Sequence, residues 1–137
     1  MAASYNNIGI VYYTQGRYKE ALQKYEKCLK IRVDKLGHEH LDVATSYNNI
    51  GTVHGNLADF EKALFHFEKA LEIRIRVLGQ DHPDVAISKF NMAVLLRNMD
   101  KAAESKQMFT EAAGIFRAAL GADHPHTKMA ERGSAET

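Results

Sequence analysis

Seven histidines and one cysteine are the side chains of this 137-residue chain best suited to chemistry. His38, Glu39 and His40 lie together, and His124 and His126 bracket Pro125. Imidazole and carboxylate are zinc-ligand types, but a zinc site needs three or four ligands that converge. His40, His82 and His124 instead stand 42 residues apart, in equivalent turns separated by a whole repeat, which favours a turn-stabilising role. His54 stands where an inward-facing aromatic, Tyr12, stands 42 residues earlier, and reads as a packed imidazole rather than a base. Cys28 shares its phase with Ala70 and Ala112 and reads as a small buried apolar residue, not a nucleophile. The chain shows no glycine-rich phosphate loop, nucleophile elbow or paired-carboxylate constellation. Neither catalysis, nor a metal, nor a cofactor is expected.

The elements that position these residues follow from the repeat itself. Ser4-Tyr-Asn-Asn-Ile-Gly9 returns as Ser46-Tyr-Asn-Asn-Ile-Gly51 and, eroded, as Ser88-Lys-Phe-Asn-Met-Ala93. Leu36-Gly37 returns as Leu78-Gly79 and Leu120-Gly121. A fixed period of this length marks a solenoid, in which each unit buries its apolar face only against its neighbours. Each repeat reads as two helices. In the second, helix A covers about 43–56, with Val43, Tyr47, Ile50, Gly51 and His54 on one face. A turn at 57–59 follows. Helix B covers about 60–77, with Phe60, Ala63, Leu64, Phe67, Ala70 and Leu71 as an amphipathic stripe, and Gly79 ends it. The first repeat places helices at about 2–13 and 18–35 around a turn at Gly16; the third places them at about 84–98 and 101–119. Asp42 and Asp84 are the expected helix caps. Gly9, Gly51 and Ala93 should let helix B approach closely, with Tyr25, Phe67 and Phe109 filling the space between repeats.

Composition narrows the function classes. A net charge of +1, with acids and bases interspersed, argues against a nucleic-acid protein, which carries a basic stripe. No apolar run approaches the roughly 18 residues of a membrane span. Met1 runs straight into repeat sequence, so no signal peptide is expected. One cysteine cannot form an internal disulfide, which suits a reducing compartment, and a cytoplasmic location is expected.

The pattern Tyr5, Ile8, Gly9, Tyr12, Ala21, Tyr25, Cys28, repeated as Tyr47, Ile50, Gly51, His54, Ala63, Phe67, Ala70, resembles the tetratricopeptide repeat. The usual period is about 34 residues. The longer one here, with its Leu78–Ala86 turn, looks like the kinesin light chain form. Departures are Leu41 in place of proline and His126-Thr127-Lys128 in place of Asp-Val-Ala. The resemblance implies an all-α, right-handed superhelix (an α-solenoid) of three helix-turn-helix repeats in one domain, 1–132. Its repeats fall at about 2–41, 44–83 and 86–123, with a partial capping helix at about 124–132 and a frayed tail at 133–137. It also implies a concave groove lined by the A helices. The expected lining is Asn6, Asn7, Ile10 and Tyr13; Asn48, Asn49, Thr52 and Asn56; and Lys89, Phe90, Asn91, Val94, Arg97 and Asn98. Asn7, Asn49 and Asn91 form a ladder whose amides suit an extended peptide backbone, or else bond neighbouring helices and set the repeat-to-repeat angle. Lys89 and Arg97 would favour an acidic ligand. The expected function is non-catalytic protein or peptide binding in an adaptor or scaffold, with the chain part of a longer protein. Self-association through an exposed terminal face, and regulation of a larger enzyme, are the alternatives.

Overall fold

The computed structural model describes residues 1–136. Among them are seven α-helices and no strand: α1 Ala2–Thr14, α2 Tyr18–Leu36, α3 Leu41–Asn56, α4 Phe60–Leu78, α5 Pro83–Asn98, α6 Ala102–Leu120 and α7 Pro125–Glu136. The chain forms two compact units, 1–73 and 74–137, divided within α4.

Local chemistry sets the helix ends. Gly37, Gly79 and Gly121 follow the B helices with φ of +83°, +88° and +95°, a conformation nearly free of cost only for glycine. The short turns inside the repeats place Gly16, Ala58 and Asp100 at one phase, all left-handed, with φ of +77°, +62° and +62°. The longer turns are capped by histidines rather than by the aspartates expected from sequence. Nδ1 of His40 and of His82 accepts the N–H of Asp42 and Asp84, each at 3.0 Å. His124 does the same for His126 at 3.1 Å. The aspartates fall in the first turn, where their charge complements the helix dipole but satisfies no capping N–H.

In the unit 1–73, α2 packs between α1 and α3. One core cluster joins Ala21 and Tyr25 to Ile50 and Val53; another joins Val43 and Ala44 to Ala70 and Ile73. Helix approach is set by the small residues. A Cβ on Gly9 would stand 2.7 Å from the Tyr25 ring, and one on Gly51 would stand 2.9 Å from Phe67. In the unit 74–137, α6 packs between α5 and α7 around Ala86, Ala112, Phe116 and Ala130. Ser105, at the phase held by Ala21 and Ala63 in the earlier repeats, is fully buried there, and its hydroxyl donates to the Ala93 carbonyl at 2.7 Å, so the polar residue leaves no orphaned group.

The chain end departs from expectation. Helix α7 continues through 133–136, where a frayed tail was expected, and the expected capping helix is correspondingly longer than 124–132. Gly133 is buried against Phe109, where a Cβ would stand 2.6 Å from the ring, and Ser134 Oγ lies 2.8 Å from Thr110 Oγ1. Thr137, the last residue of that expected tail, lies outside the described residues.

Candidate functional site

The A helices α1 and α3 are joined by side-chain bonds two turns apart. Asn49 Nδ2 donates to Asn6 Oδ1 at 3.1 Å, and Asn56 Nδ2 donates to the Tyr13 hydroxyl at 3.0 Å. The spacing of seven residues on each helix puts both bonds on one face. Asn56 also donates to the Thr52 carbonyl, and the Thr52 hydroxyl donates to the Asn48 carbonyl, both at 2.9 Å. Asn7 is exposed, while Asn48 and Asn49 are half-buried. An amide offers two donors and an acceptor, so the Asn6–Asn49 bond leaves hydrogen-bonding capacity on both side chains. Of the two roles open to the asparagines, Asn6 and Asn49 are seen joining neighbouring helices.

In the second unit the expected cations are engaged. Lys89 Nζ lies 3.3 Å from Glu111 Oε1, with its side chain largely covered. The Arg97 guanidinium lies 5.3 Å from the centre of the Phe109 ring, a cation–π contact that leaves its outer edge exposed. Asn91 is half-buried and has a partner of its own. The phase of the asparagine ladder reaches Gly133 in α7, which packs on Phe109.

The unit 74–137 also holds an open apolar pocket of about 180 Å³, lined by Ile87, Phe90, Phe116, His126 and Met129. Only Phe90 among these was singled out from sequence as facing a groove. The signal for the rest was present as a shared departure from the repeat. Phe90 follows Asn6 and Asn48; Phe116 follows Arg32 and Arg74; Ile87 and Met129 follow Ala3 and Thr45. The arginine lost at Phe116 has a defined job elsewhere. Arg32 Nη1 donates to Ser46 Oγ at 2.9 Å, and Arg74 Nη1 donates to Ser88 Oγ at 2.6 Å. At the third occurrence both partners change together, to Phe116 and Ala130, and the space becomes apolar.

The candidates for chemistry are accounted for. The Nδ1 atoms of His40, His82 and His124 are used as caps, and no cluster of three or more metal-ligand side chains occurs among the described residues. Cys28 is fully buried, its Sγ 3.6 Å from Ser46 Oγ. His54 is buried and stacked on His66 at 5.3 Å. Its Nδ1 has no hydrogen-bond partner, being 3.7 Å from Asp59 Oδ2. Burial and the neighbouring His66 hold its proton affinity below that of an ordinary histidine, against the opposing pull of Asp59.

Tetratricopeptide repeat models match residues 1–76 and 86–126. The chain belongs to the tetratricopeptide repeat family. The repeat is a protein–protein interaction scaffold, and the fold is of the kinesin light chain-like type. Similar solved structures include BtubC (BKLC) from P. vanneervenii, with 23% identity over 98% of this chain and a TM-score of 0.84. A Podosopora anserina structure of nearly identical TPR-like repeats of the kinesin light chain type gives 19% identity over 98%, with a TM-score of 0.86. The chain spans 57% and 64% of the lengths of these two structures. The TPR2B domain of yeast Sti1, solved as a complex with pHsp70, gives 14% identity over 98% of this chain and 94% of that domain, with a TM-score of 0.75. No curated protein matches the sequence. No helix of this tetratricopeptide chain, among the described residues, is long and apolar enough to cross a membrane.

Proposed function

We propose that this chain is a non-catalytic binding module that holds a peptide or partner helix on the surfaces of its A helices, in the adaptor or scaffold role of kinesin light chain-like proteins in the cytoplasm. The apolar pocket carries the reading. Ile87 and Met129 leave 37% and 48% of their surface exposed around it, and large apolar side chains gathered about an open hollow mark interaction sites. A volume of about 180 Å³ suits one large apolar side chain of the ligand. In the other unit, the spare donors and acceptors of Asn6, Asn7 and Asn49 suit main-chain groups, which would make binding there tolerant of ligand sequence. Arg97, with its exposed edge, is the cation placed to meet an acidic side chain. The Sti1 domain, solved in complex with pHsp70, supports a fold of this kind taking a protein ligand.

A peptide array probed with the full chain tests this. Captured peptides should share a large apolar residue, and Met129→Glu should weaken capture about ten-fold, equivalent to roughly 1.4 kcal/mol. Met129 is exposed, so helicity should hold. Capture indifferent to Met129→Glu would remove the pocket from the binding site, and no capture at all would remove the function.

A further inference from the structure

We infer that the long turn between α6 and α7 makes the apolar pocket release its ligand on mild acidification, through joint protonation of His124 and His126. The inference rests on the reading of that pocket as a binding site. Three turns of the chain share one arrangement. Nδ1 of His40, His82 and His124 each accepts the N–H two residues further on, so each ring carries no proton at that nitrogen. A proton there removes the acceptor and the helix cap with it. In the first two turns the residue two further on is Asp42 or Asp84, whose carboxylate stands 3.9 or 4.0 Å from the same Nδ1 and can receive the imidazolium. In the third turn that phase holds His126, and the two ring centres are 4.9 Å apart. A second proton therefore sets two cations side by side. Helices α3 and α5 carry an acid in their first turn and α7 carries none, so both charges fall at the positive end of its dipole.

The charged groups of the surrounding elements do not cancel this. On α6 and α7, Arg117 and Glu131 hold each other, and Lys128 adds a further positive charge. On α5, Asp84 stands by His82, and Lys89 is held by Glu111. In the turn, Asp123 precedes His124 as Glu39 and Asp81 precede His40 and His82, so it does not set the third turn apart. The Phe116 ring, 5.4 Å from that of His126, is a counterweight through its face, but it replaces neither the cap nor the carboxylate. The pocket feels the change directly. His126 is part of its wall, and Met129 stands one turn further along the same helix. A charged imidazole brings water to a wall otherwise made of Ile87, Phe90, Phe116 and Met129, and an uncapped first turn loosens the helix that carries Met129.

The probe is p-cresol, a neutral mimic of an aromatic side chain, titrated into the full chain and followed by the NMR signal of the Met129 methyl group. A saturable shift is expected at about pH 7.5, and the affinity should fall about ten-fold by about pH 5.5, across the range in which imidazole takes up its proton. Far-UV circular dichroism should show the helices intact at both values. His124→Ser supplies a cap that does not titrate, and its affinity should fall about three-fold or less. His40→Ser, the same exchange in the first long turn, should keep the full ten-fold fall. Binding at the higher pH that is unchanged at the lower overturns the inference and leaves the pocket standing as a binding site. A fall as large in His124→Ser as in the parent overturns it, as does a fall that His40→Ser abolishes or one that accompanies unfolding of the whole chain. No binding at about pH 7.5 removes the pocket reading and this inference together.

Discussion

The same substitution, glycine to alanine inside a helix, should change sign between two positions of this chain. In the interior of a helix the change is worth about 1 kcal/mol in favour of alanine. At Gly114, within α6, an added Cβ meets nothing within 4 Å. Gly114→Ala should therefore gain about 0.5–1 kcal/mol. At Gly51 the Cβ would stand 2.9 Å from two ring carbons of Phe67 and 3.2 Å from the Ala63 carbonyl oxygen. Carbon atoms in contact prefer about 3.5–4.0 Å. Phe67 is itself buried, and Ala63 presents backbone, so neither can retreat cheaply. Overpacking of this kind costs about 1–3 kcal/mol. Set against the helix gain, Gly51→Ala should lose about 1 kcal/mol net. At this chain length 1 kcal/mol moves a melting temperature by about 3–5 °C, so the two variants should melt about 5–10 °C apart on opposite sides of the parent. Far-UV circular dichroism on all three proteins decides it. If Gly51→Ala melts above the parent, as Gly114→Ala should, the claim that glycine at this phase sets the helix approach is wrong.

The Asn6→Ala and Asn49→Ala pair, treated as a double-mutant cycle in urea so that helix propensity cancels, should show a coupling of about 0.5–1.5 kcal/mol; strictly additive effects would mean the bond contributes nothing. Arg74→Phe alone leaves the buried Ser88 hydroxyl without its partner and should cost about 1–3 kcal/mol. Adding Ser88→Ala, which copies the Phe116–Ala130 pair, should restore part of the loss, and a double variant no more stable than Arg74→Phe would contradict the exchange. His54 has a lower proton affinity folded than unfolded, first through burial and then through His66. The unfolded chain takes up that proton first, so this contribution to stability is complete above about pH 6.5 and is lost as pH falls from there through the folded value. His54→Leu, which takes the residue found at the same phase in Leu96, should flatten the fall in denaturation midpoint between about pH 7.5 and 5.5; an unchanged slope would place the acid sensitivity elsewhere.

Much of the fold was legible because its signals are local. The turn at 57–59, the start of α4 at Phe60 and the stop at Gly79 follow from apolar phase and from glycine's freedom at positive φ. So did the caution over histidines, since spacing by a whole repeat is visible in a linear chain. The caps were misassigned to Asp42 and Asp84 because either residue type can accept an N–H, and only backbone geometry at His40 and His82 selects the imidazole. The tail at 133–137 looked polar and glycine-bearing, yet Gly133 is what lets α7 lie on Phe109.

The amino-acid order alone determined the period, the helical pairs and the phase at which each side chain points, because these depend on neighbours within a turn or two. Tertiary structure alone decided the partnerships: Asn49 with Asn6, Lys89 with Glu111, Arg74 with Ser88, and the hollow framed by Ile87, Phe116 and Met129. A phase says which way a residue faces. What it meets there depends on the distance and shape of a different helix, and that distance is set by the packing of bodies such as Tyr25 on Gly9 and Phe67 on Gly51.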